Sequence, residues 1–279
     1  MAGNLGPTAA NRCTVTDMTT LNHHREGTGE PLVLVHGVGS RWQVWEPIIG
    51  TLAESFDVIA VDLPGFAGSA PIEHTTVDTL TEALADFLRE QGIERPHLAG
   101  NSMGGLISLN LGARGAARSV TAFSPIGFWD TPGRVWCQQS LGKSRQLARV
   151  LRRWLPDVLG TAVGRTTFLT LIFGKPWALD PQVAIDTAAD AANSPGFEPA
   201  LASFTDAKLH EIGALADIPV TIAWGNRDIL LTYATQSRKA RAVLPNARHV
   251  TLHGSGHTPF FDDPAGCAQV LLDTISPHP

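Results

Sequence analysis

The stretch that decides the fold is Leu98-Ala99-Gly100-Asn101-Ser102-Met103-Gly104-Gly105. The residues before it, Pro96–Ala99, predict a strand, and those from Met103 onward predict a helix. Glycines at positions 100 and 104 prevent side-chain collisions in so tight a strand-to-helix turn, which therefore exposes the hydroxyl of Ser102. The helix dipole there favours a developing oxyanion. Taken alone, the pattern fits either a nucleophilic serine or a glycine-rich turn with an incidental serine.

Further strands are predicted on both sides of this turn. Continuous apolar runs are typical of parallel strands covered on both faces, and helical patterns alternate with them. The predicted strands are Pro31–His36, Asp57–Asp62, Ser119–Phe123, Pro219–Trp224 and Arg248–His253. A short hairpin of Thr14–Thr20 with Leu21–Arg25 is expected at a sheet edge. This alternation predicts an α/β fold with a mostly parallel, twisted sheet flanked by helices.

The alternation breaks after Ser124-Pro125. Residues 127–206 contain helix-like pieces divided by prolines, so we expect a helical lid inserted after the sixth predicted strand. Open α/β sheets bind ligands at the carboxyl edge of their strands, where such a lid would lie. The expected organisation is a core of residues 13–126 and 207–279, the lid, and a flexible N-terminus of residues 1–12.

A basic run lies within the expected lid. Arg145, Arg149 and Arg152 fall on one helical face, and no acidic residue occurs between Arg134 and Arg153. We interpret this face as solvated, in preference to a site for an anionic substrate or a membrane surface.

Composition narrows the class of protein. The chain has 279 residues, 43% of them hydrophobic and 17% charged, with a formal net charge of -5, which argues against a nucleic-acid partner. No apolar run reaches the roughly 18 residues that a membrane span needs. Three cysteines, Cys13, Cys137 and Cys267, form neither a disulfide framework nor a metal-ligand cluster. We therefore expect a cytoplasmic monomer or homodimer that acts on a small molecule, with no metal or cofactor and no stable membrane insertion.

Two residues after strand ends are candidate partners for Ser102. A serine hydroxyl needs a base, and the base needs an orienting carboxylate at the same edge of the sheet. His257 lies in a glycine-flanked loop after the last strand, and Asp228 follows the strand before it. Asp262 and Asp263 are expected to cap the final helix instead. The chain order Ser102, Asp228, His257 is that of one known triad architecture.

The loop His36-Gly37-Val38-Gly39-Ser40 is a candidate oxyanion loop. Gly37 would let the backbone turn so that the N–H of Val38 joins that of Met103 as a donor. An ordinary glycine-rich loop at a strand end fits these residues equally well. His36 lies on the strand, and we expect it to make structural hydrogen bonds rather than to act as the base.

Together these motifs resemble those of the α/β-hydrolase fold superfamily, over Thr14–Ile275. They include Asp62-Leu63-Pro64-Gly65-Phe66-Ala67-Gly68-Ser69 and Gly256-His257 as well as the segments above. The resemblance implies that Ser102 is the nucleophile, His257 the base and Asp228 its orienter, with the N–H groups of Val38 and Met103 as the oxyanion hole. Serine at position 102 separates the chain from the haloalkane dehalogenase and epoxide hydrolase branches, which attack with a carboxylate.

The sequence around Ser102 is also similar to that of small esterases and of the meta-cleavage-product hydrolases, which break carbon–carbon bonds in ring-opened aromatics. Those carbon–carbon hydrolases usually carry a tryptophan after the catalytic histidine and a lid arginine that faces the substrate. Here Thr258 follows His257, and Arg165 is the candidate lid arginine. The expected substrate-binding residues are Gly37, Asn101, Trp129 and Arg165.

The sequence is therefore consistent with three functions. We favour a serine hydrolase of small to medium apolar carboxylic esters or lactones that forms an acyl-enzyme on Ser102. The enzymatic alternative is a carbon–carbon bond hydrolase of meta-cleavage products. The alternative of another class is a ligand-binding or inactive protein with this fold.

Overall fold

The computed structural model describes residues 21–276, and a seven-stranded sheet runs through them. Its strands are β1 (His23–Glu26), β2 (Glu30–Val35), β3 (Phe56–Val61), β4 (His97–Asn101), β5 (Ser119–Phe123), β6 (Val220–Gly225) and β7 (Arg248–Leu252). The strand order is β1-β3-β2-β4-β5-β6-β7. All neighbours pair in parallel except β1, which runs antiparallel to β3. The predicted mostly parallel sheet is confirmed.

The predicted hairpin is placed only in part. β1 overlaps the predicted Leu21–Arg25 and lies at the sheet edge, where His23 pairs with Val61 of β3. The other predicted arm, Thr14–Thr20, lies outside the described residues. Within the described part of the chain, β3 pairs with β2 on one side and with β1 on the other.

Helices cover both faces of the sheet. The α-helices are α1 (Glu46–Ala53), α2 (Val77–Glu90), α3 (Met103–Ala113), α4 (Thr131–Leu151), α5 (Leu155–Leu159), α6 (Ala162–Leu169), α7 (Pro181–Asn193), α8 (Phe197–Ser203), α9 (Tyr233–Val243) and α10 (Pro264–Ile275). Short 3-10 helices occur at Trp42–Trp45, Pro176–Ala178, Gly213–Ala216 and Pro259–Phe261. Among residues 21–276, none of the helices has the length and apolar character to span a membrane.

Alternation along the strands divides the core in two. Leu32 and Leu34 of β2 belong to the apolar cluster beneath α1 and α10, whereas Val33 and Val35 belong to the cluster beneath α2 and α3. Successive strand side chains point to opposite faces, so a strand between two helix layers must be apolar at every position. This is why the interior strands read as continuous apolar runs.

α3 differs from the other helices because every residue from Met103 to Ala113 is buried. It packs against α2 and lies on β4 and β5. A helix that is buried on every side has no face in contact with solvent, so its position in the core is fixed. The residue at its N-terminus, Ser102, is therefore held by the most enclosed helix of the described chain.

The segment of residues 127–206, which we call the helical insertion, contains α4 to α8 and no strand, and the structure describes all of it. It has a small apolar core of its own, made of Leu155, Leu159, Leu169, Phe173, Leu179, Ala184 and Ala188. α4 packs against α7 and α8. The helical character predicted for this segment agrees with the structure.

Cys137 and Cys267 are buried and free. Burial raises the pKa of both thiols well above the ordinary cysteine range. They are therefore apolar core residues rather than nucleophiles. Cys13 lies outside the described residues.

The interpretation of the basic run as a solvated face is wrong for Arg145. Its side chain is only 3% exposed, and its Nε donates to Oε1 of Glu198 at 2.7 Å. Its other nitrogens donate to the carbonyls of Ala191 and Ser194, at the end of α7. Because the last carbonyls of a helix have no partner within it, the guanidinium satisfies them and ties α4 to the turn between α7 and α8.

Replacing Arg145 tests this tie. We expect Arg145→Ala to lower the free energy of unfolding by about 2–4 kcal/mol, because it leaves buried carbonyls without a donor. Arg152→Ala, at an exposed position of the same run, is the matched control and should change stability by less than about 0.5 kcal/mol. Chemical denaturation of both variants measures the difference, and equal effects would contradict the tie.

Candidate active site

Ser102 occupies a strained turn between β4 and α3. Its backbone has φ 56° and ψ -115°. A Cβ atom at Gly100 would lie 2.1 Å from the carbonyl oxygen of Gly104, and one at Gly104 would lie 2.2 Å from that of Val35. Only glycine fits at these two positions, so the turn can form where β4, α3 and the end of β2 meet. This is the geometry expected of a nucleophile elbow.

His257 and Asp228 are brought together from loops after β7 and β6. Nδ1 of His257 lies 2.9 Å from Oδ2 of Asp228, and both side chains are almost fully buried, with 5% and 0% exposed. The other carboxylate oxygen, Oδ1, accepts the N–H groups of Leu230 at 3.0 Å and Leu231 at 2.8 Å. A carboxylate held in this way keeps a hydrogen on Nδ1 and leaves Nε2 as the basic nitrogen.

Ser102 and His257 line one cavity of about 440 Å³. The sequence prediction that they lie at the same edge of the sheet therefore agrees with this geometry. The hydroxyl of Ser102 makes no hydrogen bond to another residue within 21–276, so the direct contact with Nε2 stays a prediction. Catalytic hydrogen bonds are often longer before substrate binds.

The remaining wall of the cavity comes mainly from the helical insertion. Its apolar side chains include Leu141, Leu155, Leu159, Phe168, Leu169 and Val183. Ligand sites in proteins typically combine such apolar lining with a few polar groups that fix orientation. Here Ser102 and His257 come from the sheet edge, and the insertion supplies most of the apolar lining together with a few charged side chains.

The loop after β2 runs beside the serine. A Cβ atom at Gly37 would lie 3.1 Å from Cβ of Ser102. Val38 also lines the cavity, and Met103 follows Ser102 at the first position of α3. Neither the N–H of Val38 nor that of Met103 donates a hydrogen bond to another described residue. Both amides therefore remain candidates for binding an oxyanion.

His36 is hydrogen-bonded to this loop and is completely buried. Its Nε2 accepts the N–H of Leu63 at 3.0 Å, so Nδ1 carries the hydrogen and donates to the carbonyl of Gly37 at 2.7 Å. Burial lowers the pKa of His36, although the neighbouring Asp62 carboxylate opposes the effect. The ring is therefore neutral and structural, as its place in the sequence predicts.

Of the four predicted substrate-binding residues, the structure places Gly37 and Asn101 at the cavity. The amide of Asn101 is already engaged, because Nδ2 donates to the carbonyls of Phe123 at 3.1 Å and His257 at 3.0 Å. Asn101 therefore joins the serine strand to the histidine loop.

Trp129 and Arg165 lie elsewhere, and the expectation that they contact substrate is corrected. The ring of Trp129 packs on Phe204, with centroids 5.7 Å apart. Arg165 donates to the carbonyls of Leu159, Gly160 and Trp177, and so ties turns of the insertion together. Within residues 21–276, neither side chain belongs to the cavity wall.

An ion-pair cluster at the cavity wall is not predicted by the sequence. Arg41, just after the candidate oxyanion loop, contacts Oδ2 of Asp186 at 2.7 Å and Oδ2 of Asp190 at 3.1 Å, both on α7. Burial raises the pKa of Asp190 to about 6; Arg41 opposes this shift, and the Asp186 and Asp62 carboxylates add to it. No sequence signal could reveal the cluster, since Arg41 and Asp186 are 145 residues apart.

A family comparison covers most of the described chain. The sequence model of the alpha/beta hydrolase family matches residues 32–270. The chain belongs to the alpha/beta hydrolase family. The predicted resemblance is thereby confirmed, and with it the fold class.

Individual relatives of this alpha/beta hydrolase are also hydrolases. Lipase 3 of Moraxella sp. is 26% identical over 246 residues, which cover 84% of this chain and 74% of the lipase. The enol-lactonase from Burkholderia xenovorans LB400 superposes with a TM-score of 0.75 at 21% identity, over 93% of this chain and 98% of the lactonase. A thermophilic esterase from Thermogutta terrifontis gives a TM-score of 0.71 at 21% identity, over 92% and 95%. At these identities, the two structures show the shared fold.

The raised pKa of Asp190 predicts a pH dependence of stability. An acid whose pKa is higher in the folded state binds its proton more tightly there, so its contribution to stability falls as pH rises from about 4 to about 6. We expect the free energy of unfolding of the parent, relative to Asp190→Asn, to fall by about 1–2 kcal/mol over this interval, allowing for partial solvent screening. Urea denaturation of both proteins from pH 4 to 7 measures it, and a difference that rises with pH would contradict it.

Proposed function

We propose that this alpha/beta hydrolase cleaves small to medium apolar carboxylic esters or lactones through an acyl-enzyme on Ser102. The observation that carries the proposal is that His257, hydrogen-bonded to the buried Asp228, lines the same cavity as the strained Ser102. A serine with a base and an orienting carboxylate is the arrangement that acyl transfer requires.

In the proposed mechanism, Oγ of Ser102 attacks the substrate carbonyl while Nε2 of His257 takes the hydroxyl proton. The resulting imidazolium is stabilised by Oδ2 of Asp228, whose other oxygen the amides of Leu230 and Leu231 hold in place. The negative charge on the carbonyl oxygen is bound by the N–H groups of Val38 and Met103. The leaving alcohol takes the proton from His257. A water then attacks the acyl-enzyme while His257 takes a proton from that water, and His257 returns the proton to Oγ of Ser102 as the acid is released.

The wall of the cavity supports an apolar substrate. The insertion contributes leucine, phenylalanine and valine side chains to it, and burial of each methylene of a substrate is worth about 0.8 kcal/mol. The relatives described as a lipase, an esterase and an enol-lactonase support an ester or lactone as the substrate class. The mechanism uses protein groups and water, and we propose no metal or cofactor.

The carbon–carbon hydrolase alternative has less support from the site. Such an enzyme needs fixed cationic or amide groups to hold a dienolate and its carboxylate. Arg165 faces the turns of the insertion, and the amide nitrogen of Asn101 is engaged by two carbonyls. Neither of the two predicted candidates is therefore free for that role.

Removal of the nucleophile tests the proposal directly. We expect Ser102→Ala to lower turnover of p-nitrophenyl butyrate by about 10³-fold or more with an unchanged circular dichroism spectrum. A fluorophosphonate should label the parent on Ser102 and leave the variant unlabelled. Ser55→Ala, at an exposed position, is the control and should keep the parent rate.

Two outcomes would overturn the assignment. A Ser102→Ala protein that hydrolyses the ester at the parent rate would exclude Ser102 as the nucleophile. A parent protein that neither reacts with the fluorophosphonate nor turns over any ester or lactone would favour the ligand-binding alternative.

The acyl-chain preference tests the substrate class. For p-nitrophenyl esters, we expect kcat/KM to rise by up to about fourfold per methylene over short chains, the rate equivalent of about 0.8 kcal/mol, and to fall once the cavity is full. Ala188 lines the cavity, so Ala188→Leu should move the optimum to shorter chains.

A ring-opened diketone acid belongs in the same assay. If the parent cleaved it far faster than any ester, the carbon–carbon hydrolase would replace the present proposal.

A further inference from the structure

Asp262 does not cap the final helix as the sequence analysis expected. That role belongs to Asp263, whose Oδ1 accepts the N–H of Gly266 at 3.0 Å. The side chain of Asp262 is 7% exposed. It points away from α10 towards the loop that carries His257.

The carboxylate of Asp262 collects three backbone amides from two separate segments. Its Oδ2 accepts the N–H of Gly256 at 2.9 Å and that of Gly174 at 2.8 Å. Its Oδ1 accepts the N–H of Lys175 at 2.7 Å. Gly256 directly precedes His257, whereas Gly174 and Lys175 belong to the helical insertion, so one side chain joins the histidine loop to the insertion.

The two segments are in direct backbone contact. A Cβ atom at Gly174 would lie 2.6 Å from the amide nitrogen of Gly256, and one at Gly256 would lie 2.5 Å from that of Gly174. Glycine at both positions lets the chains approach so closely that their N–H groups reach a single oxygen. The contact is therefore built from both sides.

His257 is held on its other side as well. The N–H of Thr258 donates to the carbonyl of Ile172 at 2.9 Å. The residues before and after the histidine are thus both bonded to residues 172–175, directly or through Asp262. The placement of the imidazole depends on this part of the insertion.

Only an ionised carboxylate satisfies this set of donors. It has acceptor capacity on both oxygens and no hydrogen of its own, and bonds from amides to a charged acceptor are stronger than those to a neutral one. Asparagine has nearly the same shape, but its NH₂ group would face an amide N–H and leave at least one buried donor without a partner.

We infer that Asp262 is a positioning residue that fixes the backbone of His257 against residues 172–175 of the helical insertion, so that turnover depends on this contact. The inference rests on the proposed function, because it takes His257 as the base. Asp262 itself acts through the histidine loop and has no chemical role.

The test compares Asp262→Asn with Asp263→Asn. We expect Asp262→Asn to lower kcat for p-nitrophenyl butyrate by about 10- to 100-fold and to change KM by less than about threefold, since small displacements of a catalytic group mainly affect the reacting geometry. Fluorophosphonate labelling of Ser102 should slow in parallel. Asp263→Asn makes the same change of charge at the next residue but keeps a side-chain oxygen that can accept the N–H of Gly266, so it should keep the parent kcat and nearly the parent stability.

Separate results overturn the inference and the proposed function. If Ser102→Ala abolishes turnover and Asp262→Asn keeps the parent kcat, the positioning role is wrong and the serine mechanism stands. If Ser102→Ala retains turnover, the proposed function itself fails. An Asp263→Asn variant with the same loss of kcat as Asp262→Asn would show that the loss follows from the change of charge near the loop, and it would overturn the positioning role.

Amide exchange in the parent protein gives a test that needs no variant to fold. Because one carboxylate oxygen holds both, the amides of Gly174 and Gly256 should be protected and exchange at similar slow rates in nuclear magnetic resonance spectra. A Gly174 amide that exchanged within seconds while Gly256 stayed protected would overturn the inference.

Discussion

The structure depends on the close contact between the turn after β4 and the carboxyl end of β2. The turn has a positive φ at Ser102, which costs on the order of 1–3 kcal/mol, and leaves no room for side chains beside it. Hydrogen bonds from neighbouring strands compensate, because the N–H of Ser102 donates to the carbonyl of Phe123 at 2.9 Å. Burial of the whole of α3 then prevents the turn from relaxing.

The same edge of the sheet receives every polar group of the proposed site. The carboxyl ends of parallel strands lie at one edge of the sheet, so the loops after β2, β4, β6 and β7 converge there. The helical insertion covers this convergence with apolar side chains. In the proposed mechanism an ester would meet the reacting groups at the sheet edge and most of its apolar contacts on the insertion.

Much of the fold could be predicted because its causes are local. Strands buried on both faces must be apolar throughout, and glycines that cannot be replaced mark the serine turn. The pairing of Asp228 with His257 could also be predicted, because each follows the end of a strand.

The remaining features could not be predicted, because they depend on contacts between distant residues. Asp262 reaches Gly174 across 88 positions, and Arg145 reaches Glu198 across 53. A surface helix and one that covers a cavity have the same periodicity, so the sequence did not distinguish the buried Arg145 from the exposed Arg152. The assignment of Arg165 to the substrate failed for a related reason: the turns that it binds have no recognisable sequence pattern.

The glycine contact between residues 174 and 256 sets a boundary for exchanging parts between relatives. A graft that replaces only the residues upstream of Ile172 changes most of the apolar wall and leaves the support of the histidine loop intact. A graft that extends through Lys175 must bring its own partner for Asp262. Residues 172–175 thus mark the point up to which the wall of the insertion can be exchanged while the backbone hydrogen bonds of the histidine loop keep their partners.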